Sequence, residues 1–386
     1  MVAAAAAICS IAALDGCVKS ARGPGDWTDA RQDADDRIIR LVSREDYAGV
    51  LQITDSIIAT GADDPRIKGQ RALALGMTGN TGEALAFFEQ AILSDYENCE
   101  NHLNFAVLLM KAGRTGRALT EFNEAQRFCP DEQRGMIYRN LAVANLKMGR
   151  EKDALQMVED GLEYGRDDPY LTGLRGMLIS ESHPLQAESL LVAAEREGGM
   201  NEDFLYQLGL IMLRTDRPAR AVIPLGRVAG ADPGNAEYGL NYSEALIRAG
   251  RWAEAEEILR GIREREPSDR VTGSLARVLF KQDRFQEALE MYRLLPPDPE
   301  TRDREAMCLH NLGDTGRALE IQREVVAARP DWTVGLVNLS AMLGALGELE
   351  EAEMILLRVL EIDPENAVAR VNLETVRAAI RESGDR

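Results

Sequence analysis

Residues 333–366 read TVGLVNLSAMLGALGELEEAEMILLRVLEIDPEN, and this stretch contains the pattern that decides the fold. Apolar side chains recur at helical spacing on both sides of Gly347, as with Leu336 and Leu339 before it. Glycine readily adopts the left-handed conformation that ends a helix, and Pro364 cannot continue one. The stretch therefore predicts two amphipathic helices that are joined by a tight turn at Gly347 and end before Pro364.

The same pattern recurs along most of the chain. An alanine in the second predicted helix repeats at spacings of 30–36 residues, at Ala84, Ala118, Ala154, Ala187, Ala221, Ala255, Ala288, Ala318 and Ala352. Glycine stands five residues before six of these alanines, at Gly79, Gly113, Gly149, Gly250, Gly313 and Gly347. Proline stands twelve residues after five of them, at Pro130, Pro233, Pro267, Pro330 and Pro364. Because one hairpin cannot bury its apolar face alone, successive hairpins are expected to stack.

These residues resemble the tetratricopeptide repeat (TPR), a hairpin of about 34 residues with small residues, a turn glycine and a final proline at fixed places. The resemblance implies an all-α fold, a right-handed α-solenoid of about ten TPR helical hairpins with a C-terminal capping helix. The repeats are predicted at 31–64, 65–98, 99–134, 135–168, 169–201, 202–235, 236–268, 269–298, 299–332 and 333–366, and the capping helix at 367–382.

Composition and motifs exclude several classes of protein. Asp plus Glu number 64 against 45 Lys plus Arg, and this net charge of −19 argues against nucleic acid as a partner. No run of 18 apolar residues follows the first 20, which excludes a protein with several membrane spans. His102, His183 and His310 lack metal-ligand spacing, and neither a phosphate-binding loop nor a catalytic triad pattern is present. We therefore expect no metal, no cofactor and no enzymatic activity.

The N-terminal residues resemble those of an exported bacterial protein. Val2 to Leu14 form an apolar stretch of signal-peptide length, which ends at Leu14-Asp15-Gly16-Cys17. This ending resembles the lipobox of bacterial lipoproteins and implies a signal peptide at 1–16, lipidation of Cys17 and a tether at 17–30. By that resemblance the protein is an outer membrane lipoprotein that faces the periplasm. An ordinary exported protein and a cytoplasmic protein remain the alternatives.

TPR proteins bind ligands along the concave face formed by the first helices of the repeats. The resemblance implies that a peptide or helix of another protein binds here, at places 2, 5, 9, 12 and 13 of each repeat. In the central repeats these places hold Leu103, Val107, Met110, Arg139, Val143, Leu146, Met177, Tyr206, Leu210 and Leu213. The alternative is that several of these side chains pack against neighbouring repeats.

Basic residues recur at place 13, at Lys111, Lys147, Arg214, Arg248 and Lys281. They either bind carboxylates of a partner or stabilise the C-terminal ends of the first helices.

Three cysteines remain if Cys9 leaves with the signal peptide and Cys17 carries lipid, namely Cys99, Cys129 and Cys308. Cys99 and Cys129 lie at opposite ends of one repeat, and antiparallel helices bring these ends together. In an oxidising compartment a disulfide between them is feasible, and the alternative is a pair of small half-buried thiols that never meet.

The sequence as a whole predicts a non-enzymatic scaffold for protein–protein interaction. By resemblance to bacterial TPR lipoproteins, it helps to assemble an envelope machine such as a pilus, a secretin or an exporter. The alternative is a soluble cytoplasmic TPR adaptor that binds peptide segments of its partners.

Overall fold

The computed structural model describes residues 29–199 and 201–384. The predicted signal peptide 1–16, the lipidation residue Cys17 and residues 17–28 of the predicted tether lie outside the described residues. Every regular element in the described part is an α-helix, and most contacts join helices that are consecutive in the sequence. This arrangement confirms the prediction of an α-solenoid of TPR hairpins.

The chain divides into two compact units, Met1–Ile211 and Met212–Arg386, with the boundary inside α11 (Glu202–Arg214). The other described helices of the first unit are α1 (Asp29–Val42), α2 (Tyr47–Ala59), α3 (Pro65–Met77), α4 (Thr81–Ser94), α5 (Cys99–Lys111), α6 (Thr115–Phe128), α7 (Asp131–Lys147), α8 (Glu151–Tyr164), α9 (Pro169–Leu178) and α10 (Pro184–Arg196). The second unit contains α12 (Pro218–Ala231), α13 (Ala236–Arg248), α14 (Trp252–Arg265), α15 (Asp269–Lys281), α16 (Phe285–Tyr292), α17 (Pro299–Asn311), α18 (Thr315–Ala328), α19 (Thr333–Leu346), α20 (Leu349–Ile362) and α21 (Ala367–Gly384).

Two helices begin earlier than the predicted repeat boundaries. Helix α1 begins at Asp29, inside the predicted tether, and α7 begins at Asp131, inside the predicted repeat 99–134. For α7 the cause is local. Pro130 stands at the N-cap, and Asp131 and Glu132 place negative charge at the positive end of the helix dipole. The helix therefore begins directly after the proline that follows α6.

The predicted turn glycines all adopt the left-handed conformation. The φ angle is positive at Gly79, Gly113, Gly149, Gly250, Gly313 and Gly347. Four repeats lack glycine at this place. In three of them Glu45, Asp216 and Asp283 have φ angles of 57°, 56° and 58°, whereas Ser182 in the repeat 169–201 does not have a positive φ angle. Non-glycine residues pay a steric penalty in this conformation. In these three repeats helix packing thus imposes the turn even though the sequence does not favour it.

The core forms where the two helices of a hairpin approach most closely. The nine repeated alanines that define the sequence pattern are all fully buried, as is Val50 at the equivalent place of the first repeat. A small side chain at this place lets the helices pack closely, and a larger one would push them apart. The alanine repeat is therefore a packing signal.

One repeat is shorter than the others because its second helix, α16, has only eight residues. After α16 the chain reaches Pro299, and Asp298 caps α17 by accepting hydrogen bonds from the backbone N–H groups of Glu300 and Thr301. The nearly buried carboxylate of Glu305 in α17 accepts a hydrogen bond from Nε of Arg293, at the end of α16, at 3.0 Å. This bond links the shortened helix to the next repeat.

Candidate partner-binding surface

First helices of successive repeats lie side by side in the first unit, since α3 contacts α5 and α5 contacts α7. We call the exposed side of these helices the first-helix face. Of the ten residues predicted to bind a partner, six are half-buried and keep part of their surface exposed: Val107, Arg139, Leu146, Met177, Tyr206 and Leu210. All six belong to the first unit.

The other four predicted residues are core residues. Leu103, Met110, Val143 and Leu213 have exposed fractions of 1%, 6%, 6% and 7%. Side chains that point between closely packed helices are covered by the neighbouring helix, whatever their place in the repeat. These four side chains are therefore packed in the core, as the alternative of packing between repeats describes.

A small slot opens on the first-helix face between α3 and α5. It has a volume of about 20 Å³ and is lined mainly by Leu73, Met77, Asn104, Val107, Leu108 and Lys111. About 10–15 Å³ suffices for one water molecule, so the slot holds a single methyl-sized or water-sized group. The slot is narrow at Gly76, because a Cβ atom added at this residue would lie only 3.0 Å from Cδ1 of Leu108.

Two polar groups border this slot. Oδ1 of Asn104 is buried and has no hydrogen-bond partner. The ammonium group of Lys111 is exposed, and its nitrogen lies 3.9 Å from the thioether sulfur of Met77. A buried carbonyl oxygen without a donor costs free energy, which a donor N–H group would recover. The slot thus combines an apolar lining with one free acceptor and one cation.

Asn104 belongs to a set of amide side chains that the sequence analysis missed. The sixth place of six repeats carries an amide, at Gln70, Asn104, Asn140, Gln207, Asn241 and Asn338, and all six are half-buried. The signal is visible in the sequence, because the place in the repeat and the residue type both recur. Amides offer a donor and an acceptor together, as the backbone of an extended peptide requires.

Arg139, one of the residues predicted to bind a partner, also makes contacts within the first unit. Its guanidinium group forms an ion pair with Asp168 and lies 4.8 Å from the centre of the Tyr170 ring. Asp168 is the N-cap of α9 and also accepts hydrogen bonds from the backbone N–H groups of Tyr170 and Leu171. Arg139 therefore fixes α7 to the start of α9.

Arg248 favours the second interpretation of the basic residues at place 13. Its Nη1 donates to the carbonyl oxygen of Leu213 at 2.9 Å, and its Nη2 donates to Oδ1 of Asp216 at 2.7 Å. Leu213 lies in the last turn of α11, where carbonyl groups lack partners within the helix. Arg248 therefore donates a hydrogen bond to a carbonyl group at the end of α11, the preceding first helix. It also pairs with Asp216 at the left-handed turn.

Sequence comparison agrees with this architecture. Family profiles described as tetratricopeptide repeat match residues 224–272, 270–293 and 335–366. The chain contains tetratricopeptide repeats, and in this sense we refer to it as a TPR protein.

Solved structures with the same fold include that of Pseudomonas aeruginosa pilF, which has 18% sequence identity and a TM-score of 0.50 and matches 56% of this chain and 98% of its own. The TPR domain of P58(IPK) also has 18% identity, with a TM-score of 0.33, and covers 92% of this TPR protein and 99% of its own chain. At this level of identity the similarity to pilF concerns the fold alone. No curated protein matches the sequence.

Cys99 and Cys129 of the TPR protein form a disulfide, with their Cα atoms 5.0 Å apart. The bond joins the first residue of α5 to the residue that follows α6. Cys308 is a free, buried thiol in α17, and burial raises the pKa of this thiol to about 12. A thiol held in its neutral form is a poor nucleophile and metal ligand.

The described part of the TPR protein comprises residues 29–199 and 201–384. Within it, no His, Cys, Asp and Glu side chains gather into a group that would hold a metal ion. None of the helices in these ranges has the length and apolar character needed to cross a membrane.

Proposed function

We propose that this TPR protein is a non-enzymatic scaffold whose first unit binds an extended peptide segment of a partner protein. TPR domains bind other proteins, and the slot between α3 and α5 is the observation that carries the proposal here. It lies on the first-helix face, where Val107 and Leu146 keep part of their surface exposed. Burying such apolar surface against a partner provides the affinity.

The slot also sets the form of the ligand. A small apolar side chain of the peptide fills it, next to Leu73 and Val107. The peptide backbone gives an N–H group to Oδ1 of Asn104, which lacks a donor in the free protein. An acidic group beside this segment pairs with Lys111. The ligand is therefore an extended peptide with a small apolar residue close to a carboxylate.

Site-specific photo-crosslinking tests this proposal in cells. A photoreactive amino acid at Val107 is expected to yield a covalent adduct with the partner, which mass spectrometry then identifies. Leu185 is a suitable control position, since it lies in the same unit on α10 and is 69% exposed. Lys111→Glu should weaken the Val107 adduct. The absence of an adduct at Val107, or an equal yield at Leu185, contradicts the proposal.

We further propose that the protein is an outer membrane lipoprotein that is anchored through Cys17 and faces the periplasm, where it helps to assemble a pilus, a secretin or an exporter. The apolar stretch from Val2 to Leu14 and the sequence Leu14-Asp15-Gly16-Cys17 support the anchor. The disulfide between Cys99 and Cys129 supports an oxidising compartment, because such bonds rarely persist in the cytoplasm.

Metabolic labelling with radioactive palmitate tests the anchor. Label should enter the wild-type protein and not Cys17→Ser, and the variant should leave the membrane fraction. A mature chain that keeps Met1, or an unlabelled wild type, contradicts lipidation.

Peptide mapping after alkylation without reduction tests the compartment separately. We expect a linked Cys99–Cys129 peptide pair and an alkylated Cys308. Free thiols at both Cys99 and Cys129 in protein taken from cells contradict export.

A further inference from the structure

A buried polar cluster joins two repeats of the second unit. It consists of Asp303 on α17, Gln322 on α18, and Gly335 and Asn338 on α19. Asp303 and Gln322 are both 0% exposed, and Asn338 is half-buried. Nε2 of Gln322 donates to Oδ1 of Asp303 at 2.8 Å and to the carbonyl oxygen of Gly335 at 2.9 Å. We call these four residues the Asp303 cluster.

Gln322 stands at a place that is apolar in the neighbouring repeats. It follows the repeated alanine Ala318 by four residues. After each of the other eight repeated alanines this place holds leucine, valine, phenylalanine or tyrosine, as with Leu259 and Leu356, and all eight side chains are buried. Burying an amide where these repeats bury an apolar side chain costs free energy unless the polar atoms of the amide are satisfied. The amide of Gln322 therefore needs partners for both its nitrogen and its oxygen.

Two oxygen atoms of the Asp303 cluster have no hydrogen-bond partner in the described part of the chain. These atoms are Oδ2 of Asp303 and Oε1 of Gln322, and both are buried. Exchanging the oxygen and nitrogen of the Gln322 amide does not satisfy them, because Oε1 would then face two acceptors, Oδ1 of Asp303 and the carbonyl oxygen of Gly335. Buried polar atoms are nearly always satisfied in proteins, and an exception indicates a bound water molecule or ion.

The carboxylate of Asp303 also lacks a positively charged partner. Its two donors, Nε2 of Gln322 and Nδ2 of Asn338, both bind Oδ1 at 2.8 Å, and both are uncharged amides. No lysine, arginine or histidine of the described ranges donates to either oxygen of this carboxylate. A buried carboxylate without an opposite charge destabilises the folded state. A bound cation would remove this cost.

The donor atoms of the cluster select the class of ligand. They are oxygen atoms, which hard metal cations prefer. The cluster contains one carboxylate, which balances a single positive charge and differs in this from the multi-carboxylate sites of calcium. A water molecule would donate to both free oxygens but would leave the negative charge of Asp303 unbalanced. A monovalent metal cation satisfies both oxygens and also balances the charge.

We propose that the Asp303 cluster binds one monovalent metal cation, with Oδ2 of Asp303 and Oε1 of Gln322 as ligands. The ion enters beside Asn338, the member of the cluster whose side chain keeps some exposed surface. It holds α17, α18 and α19 together and so fixes the repeat 299–332 to the repeat 333–366. This site lies in the second unit and shares no residue with the slot between α3 and α5.

Thermal unfolding of the full chain tests the proposal with Na⁺ and K⁺ as probes. Melting temperatures are compared in sodium, potassium and choline chloride at the same ionic strength, because the bulky choline ion does not fit a buried site. An ion that binds only the native state raises the melting temperature. At least one of the two metal ions should therefore raise it by about 2 °C or more above the value in choline.

Trp332 provides a second, local measurement. A Cβ atom added at Gly335 would lie 2.9 Å from the ring of Trp332 and 3.5 Å from Nε2 of Gln322, so this ring borders the cluster. The fluorescence of the protein should change when the stabilising ion replaces choline. Trp332→Phe should remove this change and keep the shift in melting temperature.

Two variants and a matched control assign the shift to the cluster. Asp303→Asn should abolish the ion-dependent shift, because it removes the charge and keeps the shape. Gln322→Leu should also abolish it, and it restores the side-chain type that other repeats carry at this place. Glu305→Gln is the control on the same helix and should keep the shift, because Glu305 already pairs with Arg293 at 3.0 Å and with Arg302 at 2.7 Å. Cooperative melting in choline chloride shows that each variant folds.

Three results would overturn the proposal. The first is the same wild-type melting temperature in all three salts, because a proton or a water molecule then satisfies the two free oxygens. The second is an ion-dependent shift that Asp303→Asn keeps, because the ion then binds elsewhere. The third is a larger shift in calcium chloride at the same ionic strength that Asp303→Asn abolishes, because the cluster then prefers a divalent ion.

Discussion

The imidazole ring of His102 on α5 is hydrogen-bonded to Glu121 on α6, with 2.7 Å between Nδ1 and Oε2. The other ring nitrogen, Nε2, lies 2.8 Å from the carbonyl oxygen of Tyr96. Both partners are acceptors, and a neutral imidazole has only one N–H group. The ring, which is 1% exposed, therefore satisfies both partners only as the imidazolium ion. It joins α5, α6 and the loop before α5 next to the Cys99–Cys129 disulfide.

The first prediction is that the His102–Glu121 pair stabilises the protein at low pH and less so at high pH. Burial lowers the pKa of His102, but the hydrogen bonds to Glu121 and Tyr96, together with the negative charges of Glu121 and Glu124, outweigh this effect and raise it. The native pKa thus lies above the unfolded value of about 6.5. The contribution is complete below about 6.5 and is lost as the pH rises through the native pKa.

Urea unfolding of the wild type and His102→Gln at several pH values measures this contribution. At pH 5.5 the free energy of unfolding of His102→Gln should be about 1.5–3 kcal/mol below that of the wild type, the usual value of a hydrogen bond to a charged group. The difference should shrink at high pH. His183→Gln, at an exposed histidine, serves as the control. A loss in His102→Gln that stays constant with pH contradicts an imidazolium ion.

The second prediction separates core residues from binding residues on α5. Met110→Glu should lower the melting temperature strongly, because it buries a carboxylate that has no partner. Val107→Glu should leave the melting temperature nearly unchanged, because Val107 is half-buried beside the slot. The Val107→Glu variant should nevertheless no longer form a crosslink between a photoreactive probe at Tyr206 and the partner. Equal melting temperatures for the two variants would contradict the distinction between core and slot.

The contrast between these two residues indicates what the sequence was able to predict. The predictions at the alanine and glycine places were correct, because few residue types allow two helices to approach closely or form a left-handed turn. This restriction is visible in the sequence. The burial of Met110 was not visible in the sequence, because it depends on how closely the neighbouring helices cover this side chain, which repeat spacing does not determine. The amide at Asn104 was missed because the sequence does not show that its Oδ1 is buried without a hydrogen-bond donor.

The third prediction concerns two glycines in one repeat. Gly250 has a φ angle of 76° at the turn, whereas Gly261 lies within α14 with open space around its Cα. Gly250→Ala should reduce the free energy of unfolding by about 1–2 kcal/mol, the penalty for a left-handed residue with a Cβ atom. Gly261→Ala should increase it by up to about 1 kcal/mol, because alanine favours helix. Chemical denaturation of both variants measures the difference, and changes of the same sign would contradict the turn geometry.

The fourth prediction is that Asp203 on α11 destabilises the protein at neutral pH. Asp203 is only 7% exposed. This burial, and to a lesser degree the charge of Glu202, raises the pKa of its carboxyl group to about 6. The native state therefore binds the proton more tightly than the unfolded chain, whose aspartate titrates near 3.9. It follows that the free energy of unfolding falls as the pH rises from about 4 to about 6, and then levels off.

Asp203→Asn should remove this pH-dependent loss of unfolding free energy, because asparagine has a similar shape and carries no charge. At pH 7 the variant should be more stable than the wild type by up to about 3 kcal/mol, since each pKa unit corresponds to about 1.4 kcal/mol. At pH 4 the two proteins should differ little. Glu202→Gln is the control and should recover only a small part of the stability, because burial is the main cause of the raised pKa. Urea unfolding at both pH values decides between the causes. If Glu202→Gln gained the full free energy of unfolding, the effect would be due to charge repulsion. If Asp203→Asn gained the same free energy of unfolding at pH 4 and at pH 7, Asp203 would not titrate in this range.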